Sequence, residues 1–158
     1  MTATATETIH STFVIERNFP WRPSRVFSGF SQPALKLRWY AEGDHDIQEF
    51  QMDFRLGGQE QFRYRFREGH PIAGSEIANE NTFQDIVEEK RIVMTGRMQL
   101  NGKPILAGVT TFEFAPADSG TMLTLTHQGT YIDWPDGAKM IEMGWRALVE
   151  RLEKDLAQ

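Results

Sequence analysis

A change of hydrophobic period near residue 136 is the feature that most constrains what this chain can fold into. Before it, apolar and polar residues alternate in short runs between turn signals, which is typical of half-buried strands. After it, a single apolar stripe has helical spacing and consists of Ile141, Trp145, Leu148, Leu152 and Leu156. This pattern predicts an α+β fold in which one long helix, over about 136–157, lies across the apolar face of an antiparallel sheet.

Turns and prolines set the order of the predicted elements. A first strand over 9–19 is followed by two short helices, which begin near Pro23 and Pro33. About six strands follow between Ile47 and Tyr131, and the turn signals between them include Gly57-Gly58, Asn101-Gly102 and Asp118-Ser119-Gly120. The predicted order is therefore one strand, two short helices, a series of strands and the long helix.

Composition excludes several classes of protein. Of the 158 residues, 40% are hydrophobic, which suffices for one domain over 9–158 after a flexible tail over 1–8. The net charge of −5 argues against a nucleic-acid partner, and no apolar run is long enough to cross a membrane. The chain contains no cysteine and its four histidines lack ligand spacing, so we expect neither a metal nor another cofactor. Because its start shows no secretion signal, the protein is expected to be cytoplasmic.

Strand pairing assigns side chains to the two faces of the sheet. Around Gly57-Gly58 we pair Asp53 with Arg63, because this register matches polar with polar and apolar with apolar residues. Phe62 and Tyr64 then lie on the apolar face. We interpret the opposite face as a solvated surface balanced by acidic residues on neighbouring strands, and its basic row is Arg63, Arg65 and Arg67.

Two further hairpins give conflicting faces. The turn at 118–120 places His127 opposite Thr110 on the inward face. If the same face is continued across the Asn101-Gly102 turn, Arg97 lies inside. An apolar patch then lies outside, made of Met94, Met98, Ile105 and Val109. Either a β-bulge reverses the faces, or a second copy of the chain covers the patch and the protein is a homodimer.

Arg17 stands among the inward-facing apolar residues of the first strand. A guanidinium in that position needs a partner, because an unpaired buried charge is costly. We predict a structural ion pair with an acid such as Glu60 or Glu142 rather than contact with a carboxylate ligand.

Five segments, in order, carry a family resemblance. They are Arg17 in the first strand, Pro23 followed by Val26-Phe27, Pro33 followed by Leu35 and Trp39, the D-x-R-x-G-G run over 53–58, and the G-T-x-L-T-L-T-H run over 120–127. With them the chain resembles the START-like superfamily, also called SRPBCC or polyketide cyclase-like, and its subgroup named after activators of the heat-shock protein 90 ATPase. The resemblance covers about residues 9–157 and implies the helix-grip fold, a curved sheet of six to seven strands wrapped on the C-terminal helix.

One helix does not fill the concave face of a wide curved sheet, so we expect a cavity between the two. The side chains predicted to line this cavity are Trp39, Phe62, Tyr64, Arg97, His127, Trp134, Ile141 and Trp145. Among them, His127 is the one weak catalytic candidate. Beside Thr110 it can move a proton or bond a ligand, or it can be an ordinary core histidine bonded to the threonine.

These features favour a binding protein over an enzyme. We expect the cavity to hold a small apolar or amphipathic molecule. The name of the subgroup implies a second hypothesis, a protein that contacts a chaperone and regulates its ATPase. The third hypothesis is a small cyclase, dehydratase or hydrolase that uses His127 with Tyr64, Glu60 or Arg97, although the sequence shows no nucleophile elbow, phosphate-binding loop or paired carboxylates.

Overall fold

Seven strands form one antiparallel sheet in the computed structural model, which describes residues 6–158. They are β1 (Thr8–Phe19), β2 (His45–Met52), β3 (Gln59–Phe66), β4 (Glu76–Val87), β5 (Arg91–Leu100), β6 (Lys103–Ala117) and β7 (Gly120–Ile132). Their order across the sheet is β1-β7-β6-β5-β4-β3-β2. Consecutive strands from β2 to β7 are therefore neighbours in the sheet, and β1 lies at the edge beside β7.

Helical segments lie between β1 and β2 and after β7. The first are α1 (Pro23–Ser31), α2 (Pro33–Lys36) and a π-helical turn (Leu37–Ala41), and the last is α3 (Gly137–Leu156). A proline begins both α1 and α2, where its missing amide proton breaks no helical hydrogen bond. The predicted α+β architecture, with two short helices after the first strand and a long C-terminal helix, is confirmed. Within residues 6–158, no helix has the length and apolar character to cross a membrane.

Residues 1–5 of the predicted tail lie outside the described residues. The part that is described is bound to the rest of the protein, because two hydrogen bonds of 2.8 Å join Glu7 and Asp133. One runs from the Glu7 amide to the Asp133 carboxylate, and the other from the Asp133 amide to the Glu7 carbonyl. Thr8 already begins β1, so the strand starts one residue earlier than predicted.

The long helix α3 packs its apolar face against the sheet and against α1. The buried residues of this face are Trp145, Val149, Leu152 and Leu156. Gly29 lets α1 approach closely, since a Cβ there would lie 2.9 Å from Cδ1 of Leu152. Ile141 and Leu148, which belong to the predicted stripe, are only partly buried. They lie where the helix and the sheet separate.

The pairing of β2 with β3 differs from the predicted register. Arg63 lies opposite Glu49 instead of Asp53. The partner shifts by an even number of residues, so Phe62 and Tyr64 keep the predicted face. The arginine row is a solvated surface balanced by acids, as predicted, with Nε of Arg63 3.2 Å from Oε1 of Glu49.

A contact with β4 causes this shift. The amide of Gly57 donates to the carbonyl of Phe83 at 2.8 Å, and the amide of Phe83 donates to the carbonyl of Gly58 at 2.9 Å. The two glycines therefore extend the pairing of β3 with β4. Asp53 instead closes the loop between β2 and β3, because its amide donates to the Gln59 carbonyl at 2.9 Å.

A β-bulge resolves the conflict between the two later hairpins. Met98 lies opposite Leu106 and Gln99 lies opposite Pro104, so Ile105 is the extra residue of β6. The bulge reverses the faces of β5 relative to those inferred from a regular hairpin. The structure therefore contains the β-bulge, which was one of the two explanations that the sequence left open.

The reversal changes the face of the sheet on which the β5 side chains lie. Met94 and Ile105 are buried and Met98 and Val109 are half-buried, so the four residues do not form the exposed apolar patch from which a homodimer was predicted. The prediction that Arg97 points inside is wrong, because its guanidinium is half-exposed and Nη2 lies 3.1 Å from Oε2 of Glu80.

Arg17 forms a structural ion pair, but with a different acid from those predicted. Its Nε lies 3.0 Å from Oε1 of Glu153 on α3, and about a third of each side chain is exposed. The partner is therefore neither Glu60 nor Glu142. The way α3 crosses the sheet decides this pairing.

Candidate functional site

A cavity of about 290 Å³ separates part of α3 from the concave face of the sheet. On the helix side, it is bordered by Ile141, Gly144, Trp145, Leu148 and Arg151. Side chains of β3 to β7 border it on the sheet side, and Tyr40 and His45 complete the wall. Gly144 is exposed, so the cavity opens to solvent beside this residue of α3.

Six of the eight predicted residues border this cavity, namely Phe62, Tyr64, Arg97, His127, Ile141 and Trp145. Arg97 does so although its guanidinium pairs with Glu80 instead of pointing inside. Trp39 does not, because it is buried in the core, where its indole nitrogen donates to the carbonyl of Gly29 at 2.8 Å. Trp134 lies apart from the cavity as well. It precedes α3 and packs on Tyr131, with 6.1 Å between the ring centroids.

Sequence reasoning missed other residues of the wall, among them Tyr40, His45, Asn81, Met94, Leu106 and Arg151. Tyr40 reaches the cavity through the π-helical turn, in which the Glu42 amide donates to the Leu37 carbonyl at 3.0 Å. This wide turn buries the consecutive residues Trp39 and Tyr40 together. A helical period of 3.6 residues does not anticipate such a turn, and π-turns are frequent at functional sites.

A row of glycines crosses the sheet at the cavity. Gly96 of β5 pairs with Gly108 of β6, which pairs with Gly129 of β7. A Cβ on Gly108 would collide with the carbonyl oxygen of Gln128, and one on Gly96 would collide with the side chain of Asn81. The chain segments approach too closely here for side chains, so these three glycine positions contribute no side-chain volume to the concave face. The β6–β7 hairpin alone places Gly108 opposite Gly129, so part of this signal is visible in the sequence.

His127 forms part of the wall and is 5% exposed. Its Nδ1 lies 3.0 Å from Oγ1 of Thr110, and its ring stacks on Phe13 with the centroids 5.1 Å apart. Its Nε2 has no hydrogen-bond partner among the described residues. Burial lowers the pKa of His127 to about 4, so the imidazole is neutral near pH 7.

Tyr40 and Tyr64 bring phenol rings to the wall. Burial raises the pKa of Tyr64 to about 12. Burial, together with the nearby carboxylate of Glu60, raises the pKa of Tyr40 well above its ordinary value. Both phenols therefore remain protonated near neutral pH. The ring of His45 packs against Tyr64, with the centroids 4.3 Å apart.

Arg151 brings a positive charge to the cavity. Its Nη2 donates to the carbonyl oxygen of Arg38 at 3.1 Å. Arg38 itself pairs with Asp155, at 3.6 Å, whereas Arg151 has no carboxylate partner within the described part of the chain. A polar or negatively charged group near this end of the wall would therefore meet an available guanidinium.

A buried ion pair supports the wall from behind. Nζ of Lys36 lies 2.8 Å from Oε2 of Glu60, and the two side chains are 2% and 0% exposed. The Asn81 amide donates to Oε1 of Glu60 at 3.2 Å, and the Lys36 ammonium lies 4.7 Å from the ring centroid of Tyr40. Asn81 and Tyr40 border the cavity, so the pair holds α2 and the π-helical turn against β3 and β4.

The wall is mainly apolar and aromatic, with a few polar groups from histidine, tyrosine, asparagine and arginine side chains. Such a lining is typical of small-molecule binding sites. Among residues 6–158, no three His, Asp or Glu side chains lie together in a way that could hold a metal ion.

A curved antiparallel sheet wrapped on a C-terminal helix, with a cavity between the two, defines the class of START-like helix-grip proteins. The family model described as "Activator of Hsp90 ATPase homolog 1-like protein" matches residues 20–157. The chain belongs to this family.

Solved structures share the fold over nearly the whole chain. The protein Mll3558 from Rhizobium loti is 42% identical, and the match covers 94% of this chain and 99% of that one, with a TM-score of 0.85. A protein from Rhizobium leguminosarum is 29% identical, with 98% and 99% covered and a TM-score of 0.88. Protein CV1439 from Chromobacterium violaceum, 22% identical with 93% and 97% covered and a TM-score of 0.78, shows the fold alone. No curated protein matches the sequence.

Proposed function

We propose that the chain binds a small apolar or amphipathic molecule in the cavity between α3 and the sheet. The observation that carries this proposal is the cavity itself, with a volume of about 290 Å³, mainly apolar walls and an opening beside Gly144. An apolar cavity of about 150 Å³ accepts benzene, so this one has room for roughly two fused rings. Polar side chains in the wall, among them His127 and Arg151, support an amphipathic ligand, because a polar group can meet one of them while the apolar body is enclosed.

Binding is better supported than catalysis. General-base catalysis is most effective when the pKa of the base is near the working pH, and His127, with a pKa of about 4, is a weak base near neutrality. The Nδ1 atom of His127 is bonded to Thr110, and no carboxylate borders the cavity among the described residues. The acid that orients a catalytic histidine in a triad is thus not part of this wall.

The family description supplies a second hypothesis, regulation of the ATPase of Hsp90. Its support is the family match, and it calls for a surface that contacts the chaperone rather than for a cavity. We therefore place this hypothesis second to ligand binding.

Closing the opening tests the binding proposal. A Cβ at Gly144 would meet nothing within 4 Å, so a larger side chain can begin here without a backbone shift, and we choose Gly144→Leu. Glycine in a helix interior is about 1 kcal/mol less favourable than alanine, so the variant should be no less stable than the parent. The leucine should occupy part of the space that naphthalene takes beside Gly144 and weaken its binding about tenfold, a change of about 1.4 kcal/mol in binding free energy, which calorimetric or fluorescence titration measures.

Ala147→Leu is the matched control, because Ala147 is exposed on the same helix and does not border the cavity. This variant should bind naphthalene as the parent does. Equal affinities of the parent and Gly144→Leu, or no binding by the parent, would contradict the proposal. A parent that binds no naphthalene but stimulates the ATPase of Hsp90 would favour the second hypothesis.

A further inference from the structure

One buried nitrogen in the cavity wall lacks a hydrogen bond. His127 is 5% exposed, and its Nε2 has no partner within residues 6–158. Buried polar atoms in native proteins nearly always have a partner, because burial without a hydrogen bond is unfavourable. The other ring nitrogen, Nδ1, is held by Thr110 at 3.0 Å. The ring is therefore fixed in place with one nitrogen available to a further partner.

The surroundings of this nitrogen indicate what kind of group suits it. The ring of Phe13 stacks on the imidazole, and Leu106 and Tyr131 lie beside it. Cδ1 of Leu106 and Nε2 of His127 lie 2.9 and 3.0 Å from the point that a Cβ of Gly129 would occupy. These neighbours are largely apolar, so a charged group placed here would lose its hydration without an opposite charge in return. An uncharged polar group is the better partner.

A hydroxyl group matches either state of the ring. If the Thr110 hydroxyl donates to Nδ1, the ring proton is on Nε2, which is then a donor. If the hydroxyl accepts from Nδ1, Nε2 is an acceptor. A hydroxyl both donates and accepts, so it can bond Nε2 in both tautomers, whereas a carbonyl can bond it in only one.

The rest of the wall suits a flat ring system. Tyr40, Phe62 and Trp145 all border the cavity, and Tyr40 contacts both of the others, with ring centroids 5.5 and 6.0 Å away. Aromatic rings arranged in this way can stack on, or meet edge-on, a planar ligand. The volume of about 290 Å³ has room for roughly two fused rings.

We propose that the ligand is a hydroxylated aromatic molecule of about two fused rings, whose hydroxyl group forms a hydrogen bond with Nε2 of His127. This inference rests on the proposed function and names the chemical class of its ligand. His127 and Leu106 both border the cavity, and the proposal requires the Leu106 side chain, which lies beside Nε2, to turn aside so that the hydroxyl reaches this nitrogen. The Tyr131 hydroxyl is also buried without a partner in the described structure, but Tyr131 does not border the cavity.

Three probes separate the contributions of the ring and of its substituent. Naphthalene has the fused rings alone, 2-naphthol adds a hydroxyl group, and 2-naphthoate adds a carboxylate. The parent protein should bind 2-naphthol about five- to tenfold more tightly than naphthalene, which is the effect of one neutral hydrogen bond. His127→Phe keeps a ring against Phe13 but removes both nitrogens, so it should bind the two probes equally. Thr110→Val leaves Nε2 in place and should keep the preference.

A measurement on the unmodified sequence avoids dependence on the folding of a variant. In protein labelled with ¹⁵N in its histidine rings, the Nε2 resonance of His127 should move strongly when 2-naphthol binds. It should move only slightly when naphthalene binds, since naphthalene forms no hydrogen bond. Equal, small shifts with both probes would overturn the inference.

The remaining outcomes distinguish this inference from the proposed function. Equal binding of naphthalene and 2-naphthol by the parent, or a preference that persists in His127→Phe, would overturn the inference and leave the binding function intact. Tighter binding of 2-naphthoate than of 2-naphthol, in the parent and in His127→Phe alike, would place the polar end of the ligand at Arg151 and also overturn it. Failure of all three probes to bind would overturn the proposed function as well.

Discussion

At the scale of single residues, burial changes the chemistry of His127. Alternation along β7 predicts that this side chain faces inward, and the β6–β7 hairpin predicts that it lies opposite Thr110; both predictions are confirmed. The apolar surroundings then disfavour the protonated ring and lower the pKa to about 4. The residue is therefore a neutral hydrogen-bonding group in the wall rather than a cation.

The free energy of unfolding should fall in mild acid for this reason. The pKa of His127 is about 4 in the folded protein and about 6.5 in the unfolded chain. Because the unfolded chain takes up the proton first, this contribution to stability is complete above about pH 6.5 and is lost as the pH falls toward 4. From pH 7.5 to pH 5 the loss attributable to His127 should be about 2 kcal/mol, measured by urea unfolding at the two pH values.

The variant His127→Phe is the control for this titration, because it has no group that titrates at this position. Its free energy of unfolding should fall by about 2 kcal/mol less than that of the parent over the same pH range. If the two proteins lost stability equally, the titration of His127 would not be the cause.

At the scale of elements, the buried pair of Lys36 and Glu60 joins α2 to β3. Each ion has lost its hydration, so the arrangement is stable only while both partners are present. Alternation along β3 places Glu60 on the same face as Phe62 and Tyr64. It does not identify the partner, because α2 has four residues and is too short for a hydrophobic period to assign its faces.

Removing one partner of the pair should destabilise the protein strongly. Lys36→Met leaves the Glu60 carboxylate buried without its cation, and the expected loss is about 3–5 kcal/mol. The double variant Lys36→Met with Glu60→Gln should recover most of this loss, because no charge is left buried and the glutamine can still accept from Asn81. Chemical denaturation of the parent, the single variant and the double variant measures the coupling; a double variant no more stable than Lys36→Met would show that the charge is not the reason.

At the scale of the whole molecule, the cavity follows from the way one helix meets a curved sheet. The helix α3 contacts the core through Val149, Leu152 and Leu156, while Ile141, Trp145 and Leu148 border the cavity. Two glycines of the glycine row border the cavity on the sheet side. The cavity wall consequently lacks packing atoms on one side. A ligand that fills the cavity supplies those contacts, and because it binds only the folded state, it should stabilise that state.

Saturation with a ligand should therefore raise the melting temperature. 2-Naphthol at about 100 times its Kd should add about 2.7 kcal/mol to the free energy of unfolding. For a domain of this size, that corresponds to an increase in Tm of about 5–10 °C, which scanning calorimetry measures. Gly144→Leu should show a smaller increase at the same concentration, and Ala147→Leu the same increase as the parent. A parent Tm that does not respond to 2-naphthol would contradict the expectation.

The sequence by itself determined the order of the elements, the α+β class and most of the inward faces. These depend on neighbours along the chain: on alternation, on turn residues and on the prolines that begin α1 and α2. The β6–β7 register was predictable for the same reason, since a two-residue turn at Asp118-Ser119 sets it locally. Of the eight predicted wall residues, five border the cavity on the predicted face, because faces are local properties; they are Phe62, Tyr64, His127, Ile141 and Trp145.

Only the tertiary structure decided the features that depend on distant partners. The β2–β3 register follows from hydrogen bonds between Gly57-Gly58 and Phe83, and the face of Arg97 follows from a bulge at Ile105. The core position of Trp39 depends on the carbonyl of Gly29 on another helix. In each case the deciding contact joins segments that are separate in the sequence. The hydrophobic pattern of either segment alone therefore does not indicate the contact.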